Sequence, residues 1–181
     1  MKAILKIETK ENYNTIKADA LERFEIEKYK HECLSILIGL DTGLRASDLL
    51  NLKVSDINYN EKSNRFECIS NIQKTKVNNH KTLLSSSTYK AFKSLNIATE
   101  YIFINPITNS LFSRIWLSKR TKLRYGFSFH TLRKISAKRI LEVGTLSDAQ
   151  RHLAHKRISS TDKYLNVTEN NSLDRLSSLY L

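Results

Sequence analysis

The sequence contains few of the residues that mark special classes of protein. Its 181 residues include only four glycines, one proline and two cysteines. So little glycine and proline excludes collagen-like and low-complexity chains, and a hydrophobic content of 40% argues against wholesale disorder. Cys33 and Cys68 each lie alone in an apolar or strand-like run, a pattern that supports neither a disulfide scaffold nor a zinc site. We therefore expect one folded domain without a metal or other cofactor.

Long hydrophobic runs are missing as well. The longest apolar stretch, around residues 33–40, falls far short of the roughly 20 residues that a membrane-spanning helix needs. Residues 1–7 are too short for the apolar core of a secretion signal. These absences, together with the scarcity of cysteine, predict a cytoplasmic protein that has no membrane partner.

Acidic residues are absent from a long interval in the second half of the chain. The sequence has 30 lysines and arginines against 18 aspartates and glutamates, a net charge of +12, and no acidic residue lies within residues 101–141. Such a one-sided excess predicts a basic surface whose partner is double-stranded DNA, although a solvated basic face without a partner would look the same. The residues expected to contact DNA are Lys76, Arg114, Lys119, Arg120, Lys122, Arg124 and Lys134.

Hydrophobic periodicity and capping residues predict that most of the chain is helical. A cap at Thr9 starts a helix that reaches about residue 23, and an apolar run over residues 29–40 predicts a second, buried helix. Further helices are expected from residue 87 onward and over residues 46–53, 113–123, 131–142 and 147–153. A last helix, capped by residues 159–162, would carry Tyr164.

Between the helices, the pattern changes to short runs that are separated by polar residues. Three runs have the length and composition of strands: residues 65–70, 72–75 and 80–84. They predict a small antiparallel sheet whose turn is at residues 77–79, with Lys74 and Lys76 near that turn. No repeat or linker interrupts the chain. The predicted fold class is therefore mainly α with a small antiparallel β-sheet, in a single unit.

Several side chains have spacings that suit chemistry on an anion, but no pair is decisive by itself. His130 and Arg133 are three residues apart on a predicted helix, so their side chains share a face and could hold one anion. Arg45 precedes Asp48 by three residues, which would let the carboxylate orient the guanidinium. Solvated helix faces and helix-terminal ion pairs produce the same spacings more often.

Five separated motifs follow one another along the chain. They are the segment of residues 42–56 with Arg45, then Lys74-Thr75, His130-Thr-Leu-Arg133, Leu153-Ala-His155, and Tyr164. This order closely resembles the catalytic domain of the tyrosine recombinases, also called phage integrases, and the match runs from about residue 30 to 166. Two small departures are Ala154, where the family usually has glycine, and Asp48, where it commonly has glutamate.

The resemblance implies a site-specific DNA recombinase that cuts and rejoins strands in DNA integration or excision. Tyr164 would attack the scissile phosphate and form a 3′-phosphotyrosyl intermediate, which conserves the bond energy for religation. Arg45 and Arg133 would hold the non-bridging oxygens, because each guanidinium offers a planar fork that stays charged.

The remaining roles follow from the same resemblance. His130 would help to deprotonate the tyrosine or steady the phosphate, and His155 would donate a further hydrogen bond to it. Lys74 is the preferred general acid for the leaving 5′ oxygen, with Lys76 as the alternative. Asp48 would hold the guanidinium of Arg45 in position without contacting the phosphate.

The resemblance also bears on domains and partners. Family members usually carry an N-terminal domain that completes a clamp around DNA, and residues 1–44 suffice only for the opening helices of the catalytic domain. Residues 1–181 are thus expected to be a single catalytic domain without the clamp, as a minimal recombinase or as a fragment. Expected partners are copies of the same chain in a synaptic tetramer and accessory DNA-bending proteins, in a virus or mobile element. An apolar stripe at Leu173, Leu176 and Leu179 could pack on its own domain or on a neighbouring subunit.

Two other functions stay open at this point. A type IB topoisomerase uses nearly the same residues but relaxes supercoils within one duplex, so it would act on plasmid DNA that carries no specific site. A regulator that binds DNA through the basic face and performs no chemistry would leave the five motifs as coincidence.

Overall fold

The computed structural model of the chain describes residues 10–155, with side chains from residue 12. The helices in this range are α1 Lys10–Phe24, α2 Lys30–Thr42, α3 Ala46–Leu50, α4 Ser86–Ser94, α5 Arg114–Tyr125, α6 His130–Val143 and α7 Leu146–His152. The strands are β1 Ile57–Asn60, β2 Arg65–Ile72, β3 Val77–Leu84, β4 Ile104–Asn105 and β5 Ser110–Leu111. Tyr164, the helix predicted to carry it and the apolar stripe that follows lie outside the described residues.

The helix α2 is the centre of the core. All of its residues from 32 to 42 are buried, and α1, α4 and α6 pack around it, as expected for a helix that is apolar on all sides. It ends at Gly43, which adopts the left-handed φ of 62° and donates its N–H to the carbonyl of Gly39. A side chain at Gly43 would come within 3.0 Å of Leu153. The chain can therefore turn sharply here only because the residue is glycine.

The three-stranded sheet has the order β1-β2-β3 and is antiparallel. Its turn differs from the sequence prediction: residues 73–76 form the turn, and residues 77–79, which were predicted to turn, begin β3. The strand predicted over residues 72–75 is accordingly mostly turn. The reason is a side-chain contact: the side-chain amide oxygen of Asn71 accepts the backbone N–H of Asn79 at 3.0 Å. This bond holds Asn79 in β3, next to a shift in the register between β2 and β3. Both lysines predicted to lie near the turn are within it.

The second half of the structure follows the sequence prediction more closely. The helices α5, α6 and α7 lie within a few residues of their predicted positions, and α6 packs against α2 and α7. A hairpin of β4 and β5, too short to leave a periodic pattern, was not predicted. The predicted class, mainly α with a small antiparallel sheet, is confirmed.

Two absences apply to the part of the chain that the structure describes. Within residues 10–155, no helix has both the length and the apolar character required to cross a bilayer. The same range contains no group of three or more potential metal ligands.

Candidate active site

Arg133 is the centre of the candidate site. It lies on the first turn of α6 and is 2% exposed. One terminal nitrogen donates to the carbonyl of Gly43, and the other donates to the carbonyl of Leu153 at 2.6 Å and lies 2.9 Å from Nε2 of His155. A single guanidinium thus joins the end of α2, the start of α6 and the turn after α7.

The bond to Arg133 determines the state of the His155 ring. A guanidinium can only donate hydrogen bonds, so Nε2 of His155 accepts and the neutral ring keeps its proton on Nδ1. Burial, and next the charge of Arg133, lower the pKa of His155 to about 4. His155 is therefore a neutral donor at physiological pH.

The turn that presents His155 is strained at one position. The N–H of His155 bonds the carbonyl of Gln150 and the N–H of Ala154 bonds that of Arg151, the paired bonds of a Schellman motif that closes α7. Ala154 has a left-handed φ of 49°, a conformation that costs an L-residue roughly 1–2 kcal/mol. Glycine, usual in the tyrosine recombinases at this position, would avoid that cost. The turn thus keeps an unfavourable backbone conformation next to His155.

His130 lies one helical turn before Arg133. The residue is exposed overall, but its ring is partly buried, and this burial lowers the pKa of the ring. The nearby positive charges lower it further; they are Arg133, Lys134, Arg45 and Lys74. Arg45 and Lys74 also lower the pKa of His155. The structure therefore brings Arg45, Lys74, His130, Arg133 and His155 together, although they are spread over 111 positions of the sequence.

Asp48 connects two of these segments. One oxygen of the buried carboxylate lies 3.9 Å from Nη1 of Arg45. The other oxygen accepts the backbone N–H of Gln73 at 3.2 Å. Burial raises the pKa of this carboxyl group. The predicted contact with Arg45 is thus long. The bond to Gln73 is shorter and fixes the start of the turn that carries Lys74.

The two candidate lysines differ in position. Lys74 lines a cleft of about 630 Å³ together with Arg45 and Arg114. Lys76 is exposed in the same turn with a left-handed φ of 51° and is not among the residues that line the cleft. The geometry favours Lys74 as the lysine of the site.

The predicted DNA-contacting residues fall into two groups. Arg114, Lys119, Lys122 and Lys76 are exposed, and Lys134 is half-buried. By contrast, Arg120 and Arg124 turn inward, and their Nε atoms donate to the buried carboxylate of Glu32 at 2.7 and 3.0 Å. These two arginines neutralise a buried charge between α2 and α5, and their contact with DNA stays a prediction.

Two histidines that no motif contains also border the site. His80 on β3 has Nε2 3.0 Å from the carbonyl oxygen of His152, and Nε2 of His152 lies 2.8 Å from the hydroxyl of Ser136. In the sequence, the only signal for His80 was its place in a predicted strand, where alternate side chains point to opposite faces. That pattern does not identify the group that an inward side chain contacts.

Comparison with solved structures identifies the fold. The structure superposes on the recombinase XerH bound to difH DNA, before cleavage, with a TM-score of 0.74 at 16% identity, over 99% of this chain and 55% of that one. It matches the recombinase XerA with a TM-score of 0.67 at 19% identity, over 92% and 63%. The fold is therefore that of a tyrosine recombinase catalytic domain.

The sequence comparison gives the family. A model of the phage integrase family matches residues 8–171. A probable integrase/recombinase of Acholeplasma phage L2 is 32% identical over 160 residues, which cover 76% of this chain and 50% of the relative. The chain belongs to the phage integrase family, as the order of its motifs predicted, and it spans about half the length of the curated relative that it matches.

The neutral histidines predict how stability depends on pH. Burial, and next its position beside His80 and Arg133, lower the pKa of His152 from 6.5 to about 4, so between these values the unfolded chain binds a proton that the folded chain does not. The free energy of unfolding should thus rise as the pH increases from about 4 to 6.5 and then level off, with His152 contributing at most about 3 kcal/mol. Urea titrations at a series of pH values measure the slope. A His152→Gln variant should show a shallower slope, and an unchanged slope would contradict the assignment.

Proposed function

We propose that this protein is a site-specific recombinase that cleaves and rejoins double-stranded DNA through a 3′-phosphotyrosyl intermediate at Tyr164. The observation that carries the proposal is the Arg133–His155 hydrogen bond, set among Arg45, His130 and Lys74. Such a cluster of donors suits a phosphate on which negative charge increases during reaction. Membership of the phage integrase family supplies the reaction class.

The proposed reaction transfers the phosphoryl group from the 5′ oxygen of DNA to the phenol oxygen of the tyrosine. The phenol oxygen of Tyr164 bonds to phosphorus as the bond from phosphorus to the 5′ oxygen breaks, and Lys74 gives a proton to that leaving oxygen. His130, neutral because of its lowered pKa, takes up the phenol proton. Religation reverses these transfers with a different 5′ hydroxyl.

The two arginines would bind the non-bridging oxygens with different degrees of freedom. Arg133 is held by two backbone carbonyls, so its position is set before DNA binds. Arg45 is 18% exposed and lines the cleft together with Lys74. Arg45 is thus the arginine that would meet a phosphate oxygen in the cleft.

Double-stranded DNA is the proposed partner for the exposed basic residues. Solved relatives include XerH on difH and a lambda integrase dimer on a core site. The phage relative supports an origin in a virus or mobile element. Action in the cytoplasm is part of the proposal.

We further propose that the protein acts as a homo-oligomer on DNA. A groove of about 560 Å³ between β3 and the helices α6 and α7 contains Leu83 and Val143, which are 50% and 89% exposed. The C-terminal segment of a neighbouring copy, with its apolar stripe, is the proposed occupant.

A substitution in this groove tests the proposed assembly. Val143→Asp places a charge in the apolar part of the groove, where Leu83 and Ile140 also lie. It should reduce the number of protein copies per DNA molecule, measured by ultracentrifugation on DNA with two sites. Ile107→Asp is the matched control, since Ile107 is 91% exposed at the β4–β5 hairpin, away from the groove. Unchanged assembly with Val143→Asp would contradict the docking site.

The covalent step is tested with Tyr164→Phe. The unmodified protein, mixed with a library of nicked duplexes that have randomised cores, should form a covalent adduct with DNA that is visible on denaturing gels. Sequencing the DNA in these adducts should identify the target. The phenylalanine variant should give none, because it lacks the attacking oxygen. An adduct that persists would displace Tyr164 from its role. Efficient relaxation of plasmid without the target would favour a topoisomerase.

Transition-state stabilisation is tested with Arg45→Ala. Arg45 is a better choice than Arg133, because loss of Arg133 would leave two buried carbonyls unpaired and lower stability. The variant should cleave the selected DNA about 10²-fold more slowly while the affinity for DNA changes little. Arg65→Ala, exposed at the start of β2, controls for the loss of one charge. Equal losses in affinity and rate would show that Arg45 only positions DNA.

A further inference from the structure

His80 lies on the inner face of the sheet although its neighbours in sequence are polar and exposed. Along β3, Lys81 and Leu83 are exposed, whereas Thr82 and Leu84 are buried and His80 is half-buried. Alternation in a strand places residues 80, 82 and 84 on one face. The His80 ring therefore points into the protein, toward the end of α7.

The contact that His80 makes there is a hydrogen bond to the backbone. A carbonyl oxygen can only accept, so Nε2 of His80 donates to the carbonyl of His152 at 3.0 Å. The next carbonyl, that of Leu153, accepts from Arg133, and the His155 ring accepts from the same guanidinium. Residues 152–155 are thus held from two sides, by the sheet and by α6.

The turn needs this support for two reasons. The helix α7 has only seven residues, too few to be stable without packing. Ala154 keeps a left-handed φ of 49° that a free turn would relax. Without a donor at His80, the carbonyl of His152 would lose its link to the sheet, and the contacts from α6 through Arg133 and Ser136 would remain.

The same strand carries the other side of the site. The turn with Lys74 leads directly into β3, and Asp48 holds the residue before Lys74 through its backbone. His80 therefore joins the hairpin that presents Lys74 to the turn that presents His155. The separation of these two groups determines whether both can reach one phosphate.

We propose that His80 is a positioning residue for the cleavage reaction, acting through His155 by holding the turn of residues 152–155 against the sheet. The role in the reaction rests on the proposed function, whereas the hold on the turn does not. Misplacement of a reacting group by about 1 Å can cost about 10²-fold in rate. The donor at Nε2 is the feature that matters, so a side chain of similar reach with an N–H should replace it.

The kinetic test compares His80→Leu, which removes the donor, with His80→Gln, whose amide can donate at similar reach. At saturating target DNA, single-turnover cleavage by the leucine variant should be at least about tenfold slower, and the glutamine variant should recover most of the rate. In a His155→Ala background, His80→Leu should cost less than about twofold, because the group that it positions is gone. Asn78→Leu, at an exposed position of the same strand, is the control.

A second measurement does not depend on DNA cleavage. Hydrogen exchange of the amides in residues 152–155 should be faster in His80→Leu than in the unmodified protein and near normal in His80→Gln. If the leucine variant does not fold, His80→Asn, whose amide is too short to span the distance, takes its place. No rescue by glutamine, an undiminished effect in the His155→Ala background, or unchanged exchange would each overturn the proposal. Absence of an adduct with the unmodified protein would instead overturn the proposed function.

Discussion

The guanidinium of Arg133 is a full positive charge in the interior of the protein, and its acceptors organise the structure around it. A buried charge is costly unless hydrogen bonds surround it. Here the acceptors are the carbonyls of Gly43 and Leu153, at the ends of α2 and α7, and the ring of His155. The bonds that stabilise the packing of these helices are therefore the same bonds that place the site.

This arrangement concentrates positive charge, and the histidines limit the resulting repulsion. Arg45, Lys74 and Arg133 all act on His130 and His155, and each histidine has a lowered pKa. Both rings can stay neutral at physiological pH, so the folded chain does not have to hold five cations together. An anion in the cleft that Arg45 and Lys74 line would reduce this repulsion further.

Much of the architecture could be predicted because it depends on local pattern. The helix around residues 29–40 was visible as an apolar run ended by glycine, and α6 followed from periodicity. The inward turn of Arg120 and Arg124 toward Glu32 could not be predicted, since all three residues are polar and the buried carboxylate lies 88 and 92 positions away in the chain. The sheet turn was misplaced because an amide side chain holds Asn79 in the strand.

By itself, the sequence determined the fold class, because that depends on residue type and periodicity. The order of its five motifs also resembles the phage integrase family, and that resemblance implied which residues suit phosphoryl transfer. Only the tertiary structure decided which lysine lines the cleft, which arginines pair inward and that His80 bonds the carbonyl of His152. Those features depend on contacts between distant segments, such as the 72 positions between His80 and His152 and the 90 between Gly43 and Arg133. Side-chain direction and hydrogen-bond partners are settled by packing, which no local pattern specifies.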